Sequence, residues 1–240
     1  QGFVWWPDGA RRLHVRALAG DKDSSFATSV SLDMEIRDME LHEHGDAPCP
    51  WCGSPAPMVP EPLSRGPMSL LRCGTCGFGW PAPVPTHDSL RAIYEVQYWD
   101  QAPPEQTSPA DCGDTDFLIR KFEPYSNGGK RILEVGCGQG ALLQGLHSRG
   151  FDVTGVDIAK NAAPNIEERL GVTVHRQPMH TVELAAPVDV VIARHVVEHA
   201  LTPVEDLKWM RRQLNPGGII MMVVPNTASA AASLFGASWE

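Results

Sequence analysis

The sequence predicts a doubly wound α/β domain preceded by a small module stapled by four cysteines. Two observations carry that expectation. From Lys130 onward, short apolar strands alternate with amphipathic helices. Upstream, Cys49, Cys52, Cys73 and Cys76 form two tight C-x-x-C pairs. Short apolar strands separated by helices imply a parallel sheet covered on both faces, and right-handed crossovers then wind the chain to both sides of it.

Residues 1–46 read as a β-rich accessory segment. Phe3–Trp6, the turn Pro7-Asp8-Gly9 and Arg12–Leu18 fit a hairpin, and Val30, Leu32, Met34 and Ile36 alternate with polar residues as in a half-buried strand. No chemistry is legible there. Residues 47–87 are rich in Pro, Gly and Cys, too poor in long apolar runs to build a core unaided. Residues 88–129 form a helical connector: an amphipathic helix over 88–100, a polar linker over 101–113, and a helix from Asp116 to Phe122 broken by Asn127-Gly128-Gly129.

The large domain spans 130–240. Strands are expected at Ile132–Val135, Val153–Val156, Val172–Val174, Val188–Ala193 and Ile219–Val224. Helices are expected at Ala141–Ser148, Ala162–Leu170 and Val204–Leu214, ended respectively by Gly150, by Gly171 and by Asn215-Pro216-Gly217-Gly218.

Length and composition set bounds. The 240 residues suffice for one large domain, or a medium one with a companion, and 42% hydrophobic residues can fill a core. The net charge of −9 opposes a protein that wraps nucleic acid, which needs clustered Lys and Arg. No apolar run approaches membrane-span length, and no secretory signal opens the chain, so a cytoplasmic location is expected. The first residue is Gln1, not Met.

The cysteine pairs read as a structural zinc site. Each C-x-x-C turn delivers two thiolates, the following Gly53 or Gly77 permits the tight backbone, and two turns close a tetrahedral shell with no open position. A thioredoxin-like dithiol or a rubredoxin-type iron site are the alternatives.

The most informative segment is Ile132-Leu133-Glu134-Val135-Gly136-Cys137-Gly138-Gln139-Gly140, a strand entering a Gly-rich turn that opens a helix. With Asp157 ending the second strand, Asp189–Ala193 leading into His195-Val196-Val197-Glu198-His199, and Leu214-Asn215-Pro216-Gly217-Gly218, this resembles the Rossmann-like sheet of class I S-adenosylmethionine-dependent methyltransferases. The dinucleotide-binding alternative wants G-x-G-x-x-G, whereas the spacing here is G-x-G-x-G. The resemblance implies S-adenosylmethionine as cofactor, with Glu134 near its methionine end and Asp157 on its ribose hydroxyls. Gly136, Cys137, Gly138, Gly140, Ile158 and Arg194 join the cofactor-binding set. After strand three, where an Asp often meets the adenine amine, Gln177 or a backbone carbonyl is the substitute acceptor and Met179 the packing surface. His195, just past strand four, is the candidate general base. Glu198 and His199 alternatively open the next helix and only stabilise the loop.

The composite resembles a subgroup with an N-terminal zinc ribbon, including nucleotide-sugar C-methyltransferases and other bacterial small-molecule or glycan methyltransferases. It implies methyl transfer to a small-molecule or sugar-like acceptor. An RNA methyltransferase with a zinc-ribbon reader and a non-catalytic assembly module are the rival readings. The sixth and seventh strands of the usual sheet have no counterpart before Glu240, so either the sequence is a fragment or another segment or chain, as in an oligomer, completes the sheet; the β-rich N-terminus is not the expected candidate.

Overall fold

A computed structural model describes residues 2–5, 14–17, 41–42, 48–55, 58–60, 69–82, 84–86, 113–225 and 234. The expected strand over 30–36 and helix over 88–100 lie outside the described residues, as does the linker up to Gly113. Among the described residues, no helix is long and apolar enough to cross a membrane. The described residues fall into two units: the large sheet with its helices, and the cysteine module.

The strands in chain order are β1 Gly2–Trp5, β2 His14–Ala17, β3 Leu41–His42, β4 Met58–Pro60, β5 Ser69–Cys73, β6 Gly79–Ala82, β7 Val84–Pro85, β8 Arg131–Val135, β9 Asp152–Asp157, β10 Thr173–Arg176, β11 Val188–Arg194 and β12 Leu214–Val223. The helices are α1 Gly113–Phe122, α2 Ala141–His147, α3 Ile166–Leu170 and α4 Pro203–Arg212.

The large sheet runs β10-β9-β8-β11-β12-β1-β2. Its first five strands are parallel. The central pair, β8 and β11, is almost wholly buried, as expected of apolar strands covered on both sides. One core holds Ile132, Leu142, Leu143, Leu146, Val153, Val190 and Ile192; the other holds Leu133, Val135, Val191, Trp209 and Met210 on the opposite face. Successive strands β8, β9 and β10 step one way, and β11 then returns to the other side of β8. The strand order therefore reverses between β8 and β11, and ligands of such sheets bind beyond the carboxyl ends at that reversal.

The edge beyond β12 is taken by this chain's own N-terminal hairpin. β1 lies antiparallel to β12, with Val4 opposite Ile220, and β2 pairs antiparallel with β1.

Three local departures have physical causes. The second helix of the domain begins at Ile166, not Ala162, because Ala163 and Asn165 take left-handed φ of +41° and +59° on either side of Pro164. The final strand begins at Leu214, through the Asn215-Pro216-Gly217-Gly218 turn signal, with an irregular register between Val188 and Val190 of β11. His199 closes a 3-10 turn, Val197–His199, that stands apart from α4.

The cysteine module is antiparallel. β4, β5 and β6 form one small sheet and β3 pairs with β7. Among the described residues its buried ones are Cys49, Cys73 and Trp80, with Leu71 and Phe78 packed against them.

Candidate cofactor site and metal centre

The Gly-rich turn joins β8 to α2 through three residues in left-handed conformation, Gly136 at φ +69°, Gly138 at +55° and Gly140 at +79°. A Cβ at Gly136 would stand 2.3 Å from Val196 Cγ2, and one at Gly140 would stand 2.5 Å from Ile166 Cδ1. Both conformation and space therefore demand glycine there. The amides of Gly136 and Cys137 donate to the Val156 carbonyl at 2.7 and 3.3 Å, tying the turn to β9.

Asp157 ends β9 beside this turn. Its Oδ2 accepts from the Gly138 amide and its Oδ1 from the Ala159 amide, each at 2.9 Å. Burial raises its pKa, against the pull of the Ala159, Gly138 and Ile158 amides. Ile158 thus serves through its backbone.

Glu134 lies at the end of β8 and is 3% exposed. Its Oε2 is buried with no hydrogen-bond partner among the described residues. Burial pushes its pKa up to about 8; Arg194 pulls against that shift, Asp157 adds to it, and the Leu143 amide, donating to the carboxylate, lowers it. Arg194 ends β11 and Asp157 ends β9, while Glu134 is the last residue but one of β8, so the three stand at the carboxyl ends of neighbouring parallel strands at the topological reversal. Cys137, within the turn, is buried in the first core, and that burial raises its pKa and keeps it a neutral thiol.

Gln177 follows β10 and is exposed, with Nε2 donating to the Thr181 carbonyl at 2.9 Å and hydroxyl at 3.0 Å. Its side-chain carbonyl stays available as an acceptor. Met179 is half-buried against the second core. His195 follows β11 at φ +53°, its amide donating to the Val223 carbonyl at 2.9 Å. Its ring is 66% exposed, with Nδ1 3.2 Å from Glu198 Oε1. Burial lowers the His199 pKa, with Glu198 opposing and His195 reinforcing the shift.

Arg176 is the residue whose role sequence reasoning missed. It donates to the Ala162 and Ala163 carbonyls at 2.8 and 3.2 Å and to Glu167 Oε2 at 2.7 Å. The Ala163 amide in turn donates to the Gly138 carbonyl at 2.6 Å. Arg176 thus braces the loop that holds the Gly-rich turn.

In the cysteine module the two knuckles repeat one geometry. The Gly53 amide donates to the Cys49 carbonyl at 2.8 Å, and the Gly77 amide to the Cys73 carbonyl at 2.9 Å. Trp51 and Thr75 amides donate to Cys49 and Cys73 Sγ, each at 3.4 Å. All four Sγ atoms lie within 4.8 Å of one another. Cys49 and Cys76 Sγ are 3.7 Å apart and Cys52 and Cys73 Sγ 3.8 Å. A tetrahedron with metal–sulfur bonds of 2.3 Å has edges of about 3.8 Å, whereas a disulfide would need about 2 Å. The Cys76 amide pulls the Cys73 pKa down to about 6, while burial pushes Cys76 up to about 12, assisted by the neighbouring sulfurs. Thiols so crowded ionise together only around a cation, and the donor set fits zinc.

Comparison with known proteins agrees with the fold. A family described as "Methyltransferase domain" matches residues 114–240, and the chain belongs to that family. A ubiquinone biosynthesis O-methyltransferase of a Caulobacter species is 34% identical over 129 residues, covering 48% of this chain and 51% of the relative. A protein of the same name from Cereibacter sphaeroides is 34% identical over 173 residues, 66% of this chain and 70% of the relative. The chain thus spans about half the length of the Caulobacter relative. The solved sugar N-methyltransferase KedS8 from Streptoalloteichus is 22% identical, with a TM-score of 0.42 over 49% of this chain and 48% of that one.

Proposed function

We propose that this chain binds S-adenosylmethionine across the carboxyl ends of β8, β9 and β11 and directs its methyl group to a small-molecule acceptor. One observation carries the reading: a carboxylate oxygen of Glu134, buried at the topological reversal beside the Gly-rich turn, has no partner among the described residues. A buried unpaired acceptor is costly, and a cationic ligand group would satisfy it. Asp157 offers charged acceptors for ribose hydroxyls, and the three glycines let the ligand approach the backbone. The bound cofactor supplies an electrophilic methyl group on a sulfonium. The protein's part is then to align an acceptor in line with it and, where the nucleophile carries a proton, to remove that proton.

His195 is the proposed base. It stands just beyond β11, with Glu198 positioned to hold its Nδ1 proton and leave Nε2 as the acceptor. The relatives' name points to oxygen as the atom methylated, and the zinc-ribbon resemblance points to sugar-like acceptors. Labelled S-adenosylmethionine incubated with full-length protein and panels of nucleotide sugars and hydroxylated aromatics tests the activity. Label should pass to a hydroxyl-bearing acceptor; transfer only to RNA would overturn the acceptor class.

The four cysteines are proposed to hold one structural zinc per chain. Metal analysis of freshly purified, reduced protein should find zinc at one equivalent, and Cys73→Ser should lose it and loosen residues 48–82. Absence of any stoichiometric metal would remove the site.

A further inference from the structure

The buried Glu134 carboxyl has a consequence for how a ligand enters. We propose that binding at this site expels one proton from Glu134 to solvent, displaced by the cationic amino group at the methionine end of the cofactor or its demethylated product. The inference rests on the S-adenosylmethionine reading above and goes beyond it, because it assigns a protonation state to each ligation state.

The geometry forces the issue. Glu134 is 3% exposed, and Oε2 meets no donor among the described residues. A carboxylate in that position is buried with one oxygen unpaired among the described residues and the Leu143 amide as its donor, so the neutral acid is the stable form of the empty site. The surroundings do not rescue the charge. From β11 Arg194 favours ionisation, but from β9 the Asp157 carboxylate opposes it, and burial outweighs both, holding the pKa near 8. From the intervening turn comes only the Cys137 thiol, itself held neutral by burial. From α2 comes the Leu143 amide; the one ionisable side chain of that helix, His147, closes its far end. Of the α1 charges, Asp116 is taken up by Arg149.

An ammonium group placed against Oε2 reverses the balance. It provides both a donor and a positive charge in a dry site, and favours the carboxylate. The O–H bond of Glu134 breaks, the proton passes to buffer, and an ion pair replaces it. Linkage then fixes the pH dependence: as pH rises toward the empty-site pKa affinity increases by up to tenfold per unit, and above that pKa it is flat.

The test is calorimetry at pH 7 on the whole chain, in phosphate and in Tris, whose different ionisation enthalpies report protons released. S-adenosylhomocysteine should release about one proton. Methylthioadenosine, which keeps the nucleoside and thioether but lacks the amino acid, should release none. Its affinity should be flat between pH 6 and 8, while that of S-adenosylhomocysteine climbs more than tenfold. In Glu134→Gln the release should vanish. The wild-type comparison of the two ligands needs no variant to fold. Binding of S-adenosylhomocysteine without proton release, or equal release with methylthioadenosine, overturns this inference and leaves the cofactor reading intact. No binding of S-adenosylhomocysteine overturns both.

Discussion

Asp157 Oδ2 accepts a hydrogen bond from the Gly138 amide at 2.9 Å, so the carboxylate expected to hold a ribose also holds the turn that shapes the site. The same side chain ties its own loop through Ala159, and that loop returns a hydrogen bond to the Gly138 carbonyl through Ala163. One residue thus couples binding to loop order.

Asp157→Ala should weaken S-adenosylhomocysteine by about 10- to 100-fold, the range expected when charge-assisted hydrogen bonds of about 1.5–3 kcal/mol are lost. Hydrogen exchange should quicken at Gly138 and Ala159 in the ligand-free variant. Weaker binding with unchanged exchange would show that Asp157 acts on the ligand alone.

Gly136→Ala should destabilise the domain for two separable reasons. A left-handed alanine costs about 1–2 kcal/mol, and its Cβ would collide with Val196 Cγ2. Adding Val196→Ala should recover the collision but not the conformational cost. Denaturant unfolding of the two variants checks this; complete recovery would mean φ is not the constraint.

Much of this site is legible in the sequence because its determinants are local. The turn needs glycine at 136, 138 and 140, and a C-x-x-C-G knuckle needs its cysteines and glycine within five residues, so spacing alone carries both. Arg176 is different. Its main partners are the carbonyls of Ala162 and Ala163, which leave no side-chain pattern to read. The same bonds explain the shortened α3, since helix propensity over 162–165 is overruled by left-handed residues and a tertiary guanidinium. The pairing of β1 with β12 joins residues more than 200 positions apart in sequence, where hydrophobic alternation predicts a strand but not its neighbour.

Glu134 ties stability to pH. Its pKa is raised in the folded, ligand-free protein, so its contribution is complete below the ordinary glutamate range, near 4.3, and is lost as pH rises through about 8. Glu134→Gln, which cannot ionise, should therefore match wild type near pH 4 and exceed it by pH 8. The gap should grow by at most about 1.4 kcal/mol per pH unit. Parallel stability profiles across that window would show that Glu134 is not held neutral.

His195 separates chemistry from backbone strain. Its φ of +53° suits glycine, so His195→Gly should fold at least as stably as His195→Ala, by about 1 kcal/mol. If His195 is the base, both variants of the full-length enzyme should lose about 10²- to 10⁴-fold in turnover while cofactor affinity holds. Turnover that tracks stability across the two variants would reduce His195 to a loop residue.

The turn from Gly136 to Gly140, with Glu134 and Asp157, is proposed to be built for S-adenosylmethionine. The most direct test is equilibrium binding of S-adenosylhomocysteine and of NADH to the unmodified chain, each by calorimetry in the same buffer. One saturable site for S-adenosylhomocysteine per chain is expected, and no binding of NADH. Saturable NADH binding, with none for S-adenosylhomocysteine, would contradict it.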